Sequence, residues 1–179
     1  VWDVQMVKLG NQIHKIRTTF LESFIPIFKR FYNEIGAETE EVKIEYRSQL
    51  NETNFEDLIK EYHKKDSITQ YSNAGIHKDD LLFTIKGHPI KKFGSQGQQK
   101  SFIISLRLAQ FEWLKTMKET NPILLLDDIF DKLDDNRVEK IIDLVNEDNF
   151  NQIFISDTNK KRSEEIIKKV NKSYKIFEI

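Results

Sequence analysis

The chain has 179 residues, 39% of them apolar with 13 Phe, and its 28 basic and 29 acidic side chains leave a net charge of −1. That composition suits a globular fold of one large or two small domains; zero Cys excludes disulfides and any Cys-type zinc site, and the balanced charge removes net charge as an argument for nucleic-acid binding, which would need a local basic patch. No apolar run is long enough to span a bilayer and no signal-peptide pattern opens the chain, so no membrane partner and a cytoplasmic location are expected.

The sequence starts at Val1 in mid-helix pattern and reads as the C-terminal portion of a longer protein. From Val4 to Tyr32 the residues Ile13, Ile16, Phe20, Phe24, Ile27 and Phe31 recur at spacings of three and four, which predicts a long amphipathic helix, with a kink or break at Pro26. Glu41–Tyr46 alternates and predicts a strand with Val42, Ile44 and Tyr46 on one face. A short helix follows over Phe55–Lys65, capped by Thr53 or Asn54. Leu81–Ile85 is a strand, and Lys86-Gly87-His88-Pro89 supplies the turn of a hairpin. Gly97 or Gln98 opens a helix to Lys118 whose apolar residues wrap most of its circumference, so deep packing is expected. Ile123–Leu126 is a continuous apolar run, as in a parallel strand buried on both faces. Helix Asp135–Val145, strand Ile153–Ile155, helix Lys161–Val170 and a closing strand Tyr174–Ile179 complete the α/β alternation. The polar stretch Ser72–Gly75 divides a helical arm, 1–73, from an α/β unit, 74–179.

Two segments carry the chemistry. Gly94-Ser95-Gln96-Gly97-Gln98-Gln99-Lys100 opens an apolar helix and offers backbone amides at its N-terminus, which suits a phosphate. Ile123-Leu124-Leu125-Leu126-Asp127-Asp128 is a strand ending in two carboxylates, which suits Mg²⁺. In that order, a helix apart, they resemble the signature and Walker B motifs of ATP-binding-cassette ATPases. The motif G-x-x-x-x-G-K-[ST] does not occur. Gly94–Ser101 misses it by one residue, because Gln99 stands where the backbone must wrap the phosphates as glycine, and the lead-in Lys91-Lys92-Phe93 is basic rather than a buried strand.

Each element also has a plain structural reading. Paired acids can end a strand in a solvated turn. The polar loop can simply cap a core helix, yet Lys100 in the first turn opposes the helix dipole, which makes better sense beside an anion. Asp131-Lys132-Leu133-Asp134 resembles a D-loop and equally offers a helix cap at Asp134 or Asp135. Ser156 and Asp157 end the next strand where a γ-phosphate sensor would stand, or form an ordinary turn. His77-Lys78-Asp79-Asp80 is better read as a structured turn than as a metal site. Lys160, Lys161, Arg162, Lys168, Lys169, Lys172 and Lys175 suit DNA phosphates or, with Glu164 and Glu165 interspersed, a solvated helix face.

Gly75-Ile76-His77-Lys78-Asp79-Asp80-Leu81, Ser95-Gln96-Gly97-Gln98-Gln99-Lys100 and Leu124-Leu125-Leu126-Asp127-Asp128 with Leu133-Asp134 together resemble the RecF family of bacterial recombination-repair ATPases, relatives of Rad50 and the SMC heads. The family pattern is G-P-H-R-D-D-L, S-Q-G-Q-Q-K/R and L-L-L-D-D…L-D; Ile76 replaces the usual Pro, Lys78 the Arg and Asp157 a Thr. The resemblance implies the C-terminal half of an ABC-type ATPase head, a parallel sheet with flanking helices, preceded by an α-rich arm (lobe II), with the Walker A part absent. It implies an ATP-dependent clamp on double-stranded, gapped or junction DNA that works with RecO and RecR to place recombinase. Two copies form a homodimer around two ATP molecules. Ser95, Gln96, Gly97, Gln98 and Lys100 would act in trans on the partner's ATP, and Asp127 would hold Mg²⁺. Asp128 would activate water, Asp131, Leu133 and Asp134 would form the D-loop, and Ser156 or Asp157 would serve as the switch. The chain alone, lacking Walker A, is expected to be inactive. A non-catalytic dimerisation or docking module is the competing reading; an acid-pair phosphotransfer domain is disfavoured because the acid pair comes late and follows a Gly-Gln loop.

Overall fold

The structure, a computed structural model, describes residues 2–36, 40–118, 121–127, 130–146, 150–158, 160–170 and 173–177, with the backbone alone for Trp2, Asn146 and 160–163. Helix α1 (Trp2–Ile35) is about 50 Å long at 1.5 Å per residue. Its buried stripe is Leu21, Phe24, Phe28, Phe31, Tyr32 and Ile35, at the expected three-to-four spacing but confined to the second half, where α4 packs. Ile16, placed in the stripe from its spacing, lies exposed, and Ile13, Phe20 and Ile27 are half-buried. The helix does not break at Pro26. Pro26 and Glu22 are both exposed, so the Glu22 carbonyl, deprived of its N–H partner, lies on the solvated side where water can satisfy it.

An antiparallel sheet follows. Strand β1 (Val42–Arg47) pairs with β2 (Asp80–Ile85) from Val42↔Ile85 to Arg47↔Asp80, with Val42 and Ile44 buried and Tyr46 half-buried, as the alternation predicts. Between them α2 (Phe55–Thr69) starts where expected: the Asn54 side chain accepts the Asp57 N–H at 2.9 Å. It runs one turn further than expected and ends at Gln70 in the left-handed conformation, φ 59°. Lys86 and Gly87, at φ 49° and 77°, make the tight turn into β3 (His88–Pro89).

A single turn of helix, α3 (Ile90–Phe93), leads into α4 (Gln96–Lys118). Phe102, Ile104, Leu108, Ala109 and Phe111 of α4 are buried, but Ile103 is exposed, so the helix is one-sided rather than wrapped. The chain then enters β4 (Leu124–Asp127), α5 (Asp135–Asn146), β5 (Ile153–Ser156) and α6 (Lys160–Ile167). Strands β4 and β5 are parallel. Here the expectation of burial on both faces fails. Leu124 and Leu126 are buried beneath α4 and α5, while Leu125 is 69% and Phe154 48% exposed. Burial thus alternates along β4, whereas Phe154 and Ile155 of β5 are both exposed. Residues 173–177 form no strand, and Tyr174, Ile176 and Phe177 are exposed; strand pairing is stable where it buries apolar side chains, and here these have no cover. Residues 178–179 lie outside the described residues.

One continuous core joins the second half of α1, the antiparallel sheet, α4, β4 and α5. Phe102 sits at its middle, with ring centroids 4.6 Å from Phe28 and 5.4 Å from Phe83. A small satellite cluster of Phe55, Leu58 and Ala74 lies under α2. Phe102, near the start of α4, and Val138, near the start of α5, both belong to this core.

Candidate functional site

The start of α4 is a reciprocal cap. The Ser95 hydroxyl oxygen accepts the Gln98 N–H at 3.2 Å, and the Gln98 side-chain oxygen accepts the Ser95 N–H at 2.8 Å. Gln99 accounts for itself differently: its side-chain amide donates back to the Gly94 carbonyl at 2.8 Å. A helical turn, α3, stands where a P-loop needs a strand, so the strand–loop–helix frame of a P-loop is not built here. Ser95 and Gln96 are exposed; Gly97, Gln98 and Lys100 are half-buried. With the Gln98 and Gln99 amides taken, those of Gln96 and Gly97 are the first-turn donors without an intrahelical acceptor.

The segment 131–134 lies against this turn. A Cβ on Gly97 would stand 3.3 Å from the Lys132 carbonyl oxygen, so even one methyl group would crowd the two segments. Lys132 itself has φ 62°, and Leu133 is buried while Asp131 and Asp134 are exposed. Of the two candidate caps it is Asp134 that accepts the Arg137 N–H, at 2.9 Å.

Behind both loops lies a polar cluster that no motif or spacing in the sequence marks out. Arg137 donates from Nη1 to the Ser101 hydroxyl at 2.8 Å, from Nη2 to Glu40 Oε1 at 2.8 Å and from Nε to Asp134 at 3.1 Å. Glu40 also accepts from Tyr32 at 2.7 Å and from the Gln98 amide at 2.9 Å. The two charged side chains are only 8% and 12% exposed. Burial works to raise the Glu40 pKa, but hydrogen bonds from Gln98, Tyr32 and Arg137 and the Arg137 charge outweigh it and hold the carboxyl below its ordinary range. Burial likewise works against the Arg137 charge and is outweighed by Glu40, while burial and the Glu40 carboxylate push the Tyr32 phenol well above its ordinary value. Glu40 and Arg137 are 97 residues apart, beyond any local pattern. One signal was available: Arg137 stands in the first turn of a helix, against the dipole, which asks for a nearby acid.

At the carboxyl ends of the parallel strands, Asp127 pairs in register with Ser156, whose hydroxyl donates to the Asp127 carboxylate. Asp127 is exposed, and half-buried Asp157 follows directly. Ligands of open α/β sheets bind at this edge. Three sequence-selected residues are thus brought together, while Asp128 lies outside the described residues. Among the described residues no group of three His, Cys, Asp or Glu is placed to hold a metal ion. Mg²⁺ is commonly held by one or two carboxylates together with nucleotide phosphates and water, and the exposed Asp127 fits that mode.

His77-Lys78-Asp79-Asp80 is a structured turn. His77 bonds the Ser72 carbonyl at 3.0 Å. Buried Asp79 accepts from Arg17 at 2.6 Å and from the Tyr46 hydroxyl, and Arg17 also donates to the Ile76 carbonyl at 2.7 Å. The motif therefore ties α1 to the antiparallel sheet. Of the basic tail, Lys168, Lys169 and Lys175 are exposed, and Lys169 lies 3.7 Å from Glu139; the side chains of Lys160, Lys161, Arg162 and Lys172 lie outside the described residues.

No family model matches the chain. Curated relatives do. The DNA replication and repair protein RecF of Flavobacterium johnsoniae is 50% identical over all 179 residues, which are 50% of that protein. The RecF proteins of Bacteroides thetaiotaomicron and Porphyromonas gingivalis are 45% and 44% identical over the whole chain, covering 48% and 50% of their lengths. The chain spans about half the length of the curated relatives it matches. Among solved structures, the recombination mediator protein RecF with ATP superposes with a TM-score of 0.71 at 24% identity, over 88% of this chain and 44% of that one. Its form with ATPrS gives 0.66 at 26% identity, over 89% and 45%. The expected resemblance holds along the full chain, and so does the expected α/β fold with a helix-rich N-terminal segment.

Proposed function

We infer that this chain is part of a RecF-family protein of DNA replication and repair, an ABC-type ATPase in which two copies complete the ATP sites between them. The observation that carries the reading is the match of the entire chain, at 44–50% identity, to half of each RecF protein. The geometry supports it. Residues 95–100 and 131–134 lie side by side, and Asp127, Ser156 and Asp157 share one strand edge. On this reading 1–73 is the arm segment and 74–179 the later part of the ATPase lobe. Bound ATP with Mg²⁺ supplies the phosphoanhydride to be cleaved. The Gln96 and Gly97 amides and the Ser95 hydroxyl orient the γ-phosphate of nucleotide held by the partner copy. Asp127, set by Ser156, would hold the metal side, and Asp128 would polarise the attacking water. The same patch is used twice, as a two-fold dimer requires. Double-stranded, gapped or junction DNA and RecO- and RecR-type mediators are the proposed partners.

The test is ATP turnover, measured on the chain by itself and on the chain joined to the remaining half of the protein. The chain by itself is expected to show negligible turnover, and the joined protein ATP-dependent dimers and hydrolysis. Asp128→Asn in the joined protein is expected to bind ATP without hydrolysing it, leaving dimers that persist on DNA. Turnover by the chain alone that disappears in Asp128→Asn would overturn the reading and make 94–101 a true phosphate loop. The bare face of the β4–β5 sheet favours one alternative, a non-catalytic docking half, which a joined protein that dimerises without hydrolysing ATP would establish.

A further inference from the structure

We propose that Glu40 and Arg137 are a positioning pair that locks the start of α4 to the 131–134 segment, so that the two loops meet a nucleotide as one unit. The proposal rests on the function inferred above. A continuous path of hydrogen bonds runs from the Ser95 N–H to the Gln98 side chain, on to Glu40, across to Arg137 and down to Asp134. Each member has a double attachment. Gln98 caps α4 with one end of its amide and reaches Glu40 with the other. Arg137 bonds α4 through Ser101 while its Nε and its own N–H hold the Asp134 cap. Tyr32 from α1 orients the second Glu40 oxygen.

Stability alone does not account for this arrangement. A buried ion pair contributes little beyond what apolar side chains of the same volume would, because desolvation offsets the Coulomb attraction. A guanidinium fork does what an apolar pair cannot: it fixes orientation, with planar donors aimed at three acceptors on separate segments. The two segments it joins are those with exposed polar ends, Ser95 and Gln96 on one side and Asp131 and Asp134 on the other. Displacing either relative to the other breaks at least one bond in the path.

The experiment uses the whole protein, this chain joined to its remaining half, with Glu40→Gln, Arg137→Lys and the double substitution. Two readouts are needed: ATP affinity against turnover, and hydrogen–deuterium exchange of residues 94–101 and 130–137. Each single variant is expected to keep ATP affinity within about twofold of wild type, because its own nucleotide contacts are untouched, while turnover falls at least about tenfold through misplaced groups. Exchange should accelerate in both segments together, although each substitution lies outside the Ser95–Gln98 cap. The double variant should be no worse than the worse single one, since either change already cuts the path. Additive losses, or faster exchange in only the segment next to the substitution, would overturn the positioning pair. A wild-type protein without ATP turnover, but with the paired exchange response in the variants, would uphold the pair and sink the ATPase reading instead.

Discussion

Glu40 shows how one side chain can lie outside every local pattern and still organise the molecule. It follows directly on residues that lie outside the described set, and its neighbour Glu41 is exposed. What distinguishes it is three donors converging from α1, α4 and α5. Its pKa is held below the ordinary 4.5, so the folded state binds the Glu40 proton less readily than the unfolded state. The resulting contribution to stability is complete above the unfolded value and is lost as pH falls from there through the lower folded value. Unfolding by urea, followed from neutral pH down through this acidic window, is expected to show wild-type stability declining more steeply than that of Glu40→Gln. Parallel curves for the two proteins would mean the carboxylate is not stabilised by its partners. Asp79 makes a different use of its partners: it accepts from Arg17, near the middle of α1, and from Tyr46. There the effect is architectural, because the residues it joins belong to α1 and the antiparallel sheet.

At the scale of elements, the N-terminus of α4 is the informative case. Ser95 and Gln98 close the cap reciprocally, so Ser95 carries a structural duty besides the proposed contact with a partner's phosphate. Replacing it has two separable consequences. Loss of the cap costs about 1 kcal/mol, readable as a modest drop in unfolding free energy. The proposed trans contact is read instead in assembly. In the joined protein, Ser95→Arg is expected to bind ATP and to lose ATP-dependent dimerisation, measured by sedimentation with and without nucleotide, while Ser95→Ala shows the cap loss with weaker dimers. Should Ser95→Arg dimerise as wild type does, Ser95 does not face the partner. Pro26 carries a second lesson about elements. A proline costs a helix one hydrogen bond and a clash with the carbonyl four residues back; here that carbonyl lies on the solvated side of α1, and packing of Phe24, Phe28 and Phe31 holds the turns on either side.

For the whole molecule, the β4–β5 sheet is the feature that calls for a covering surface. Leu125 and Phe154 are paired across β4 and β5 and both are exposed, and apolar residues in such a row mark an interface when they cluster. The remaining half of the relatives' length is the proposed cover. Leu125→Lys and Phe154→Lys touch none of the described core, so this chain should keep its helix content by circular dichroism. Its capture of the separately expressed other half should weaken at least about tenfold, the effect of losing roughly 1.4 kcal/mol at an interface. Undiminished capture by both variants would show that the face is covered by something else.

Local chemistry in the amino-acid sequence determined a good part of this protein. Asn54 as a cap, the Lys86-Gly87 turn, the alternation of Val42, Ile44 and Tyr46, and the start of α4 each depend on residues within a few positions, and backbone geometry with side-chain polarity decides them. The Asp127–Ser156 juxtaposition was half legible, since two apolar strands ending in polar residues are expected to lie side by side. Tertiary packing decided the rest. Which half of α1 is buried depends on where α4 ends, so Ile16 could not be told from Phe24 by spacing. Whether Leu125 is covered depends on a surface that spacing does not encode. The Glu40–Arg137 pair joins positions 97 residues apart, and only the shared core, by bringing α1, α4 and α5 to one point, makes those two charges neighbours.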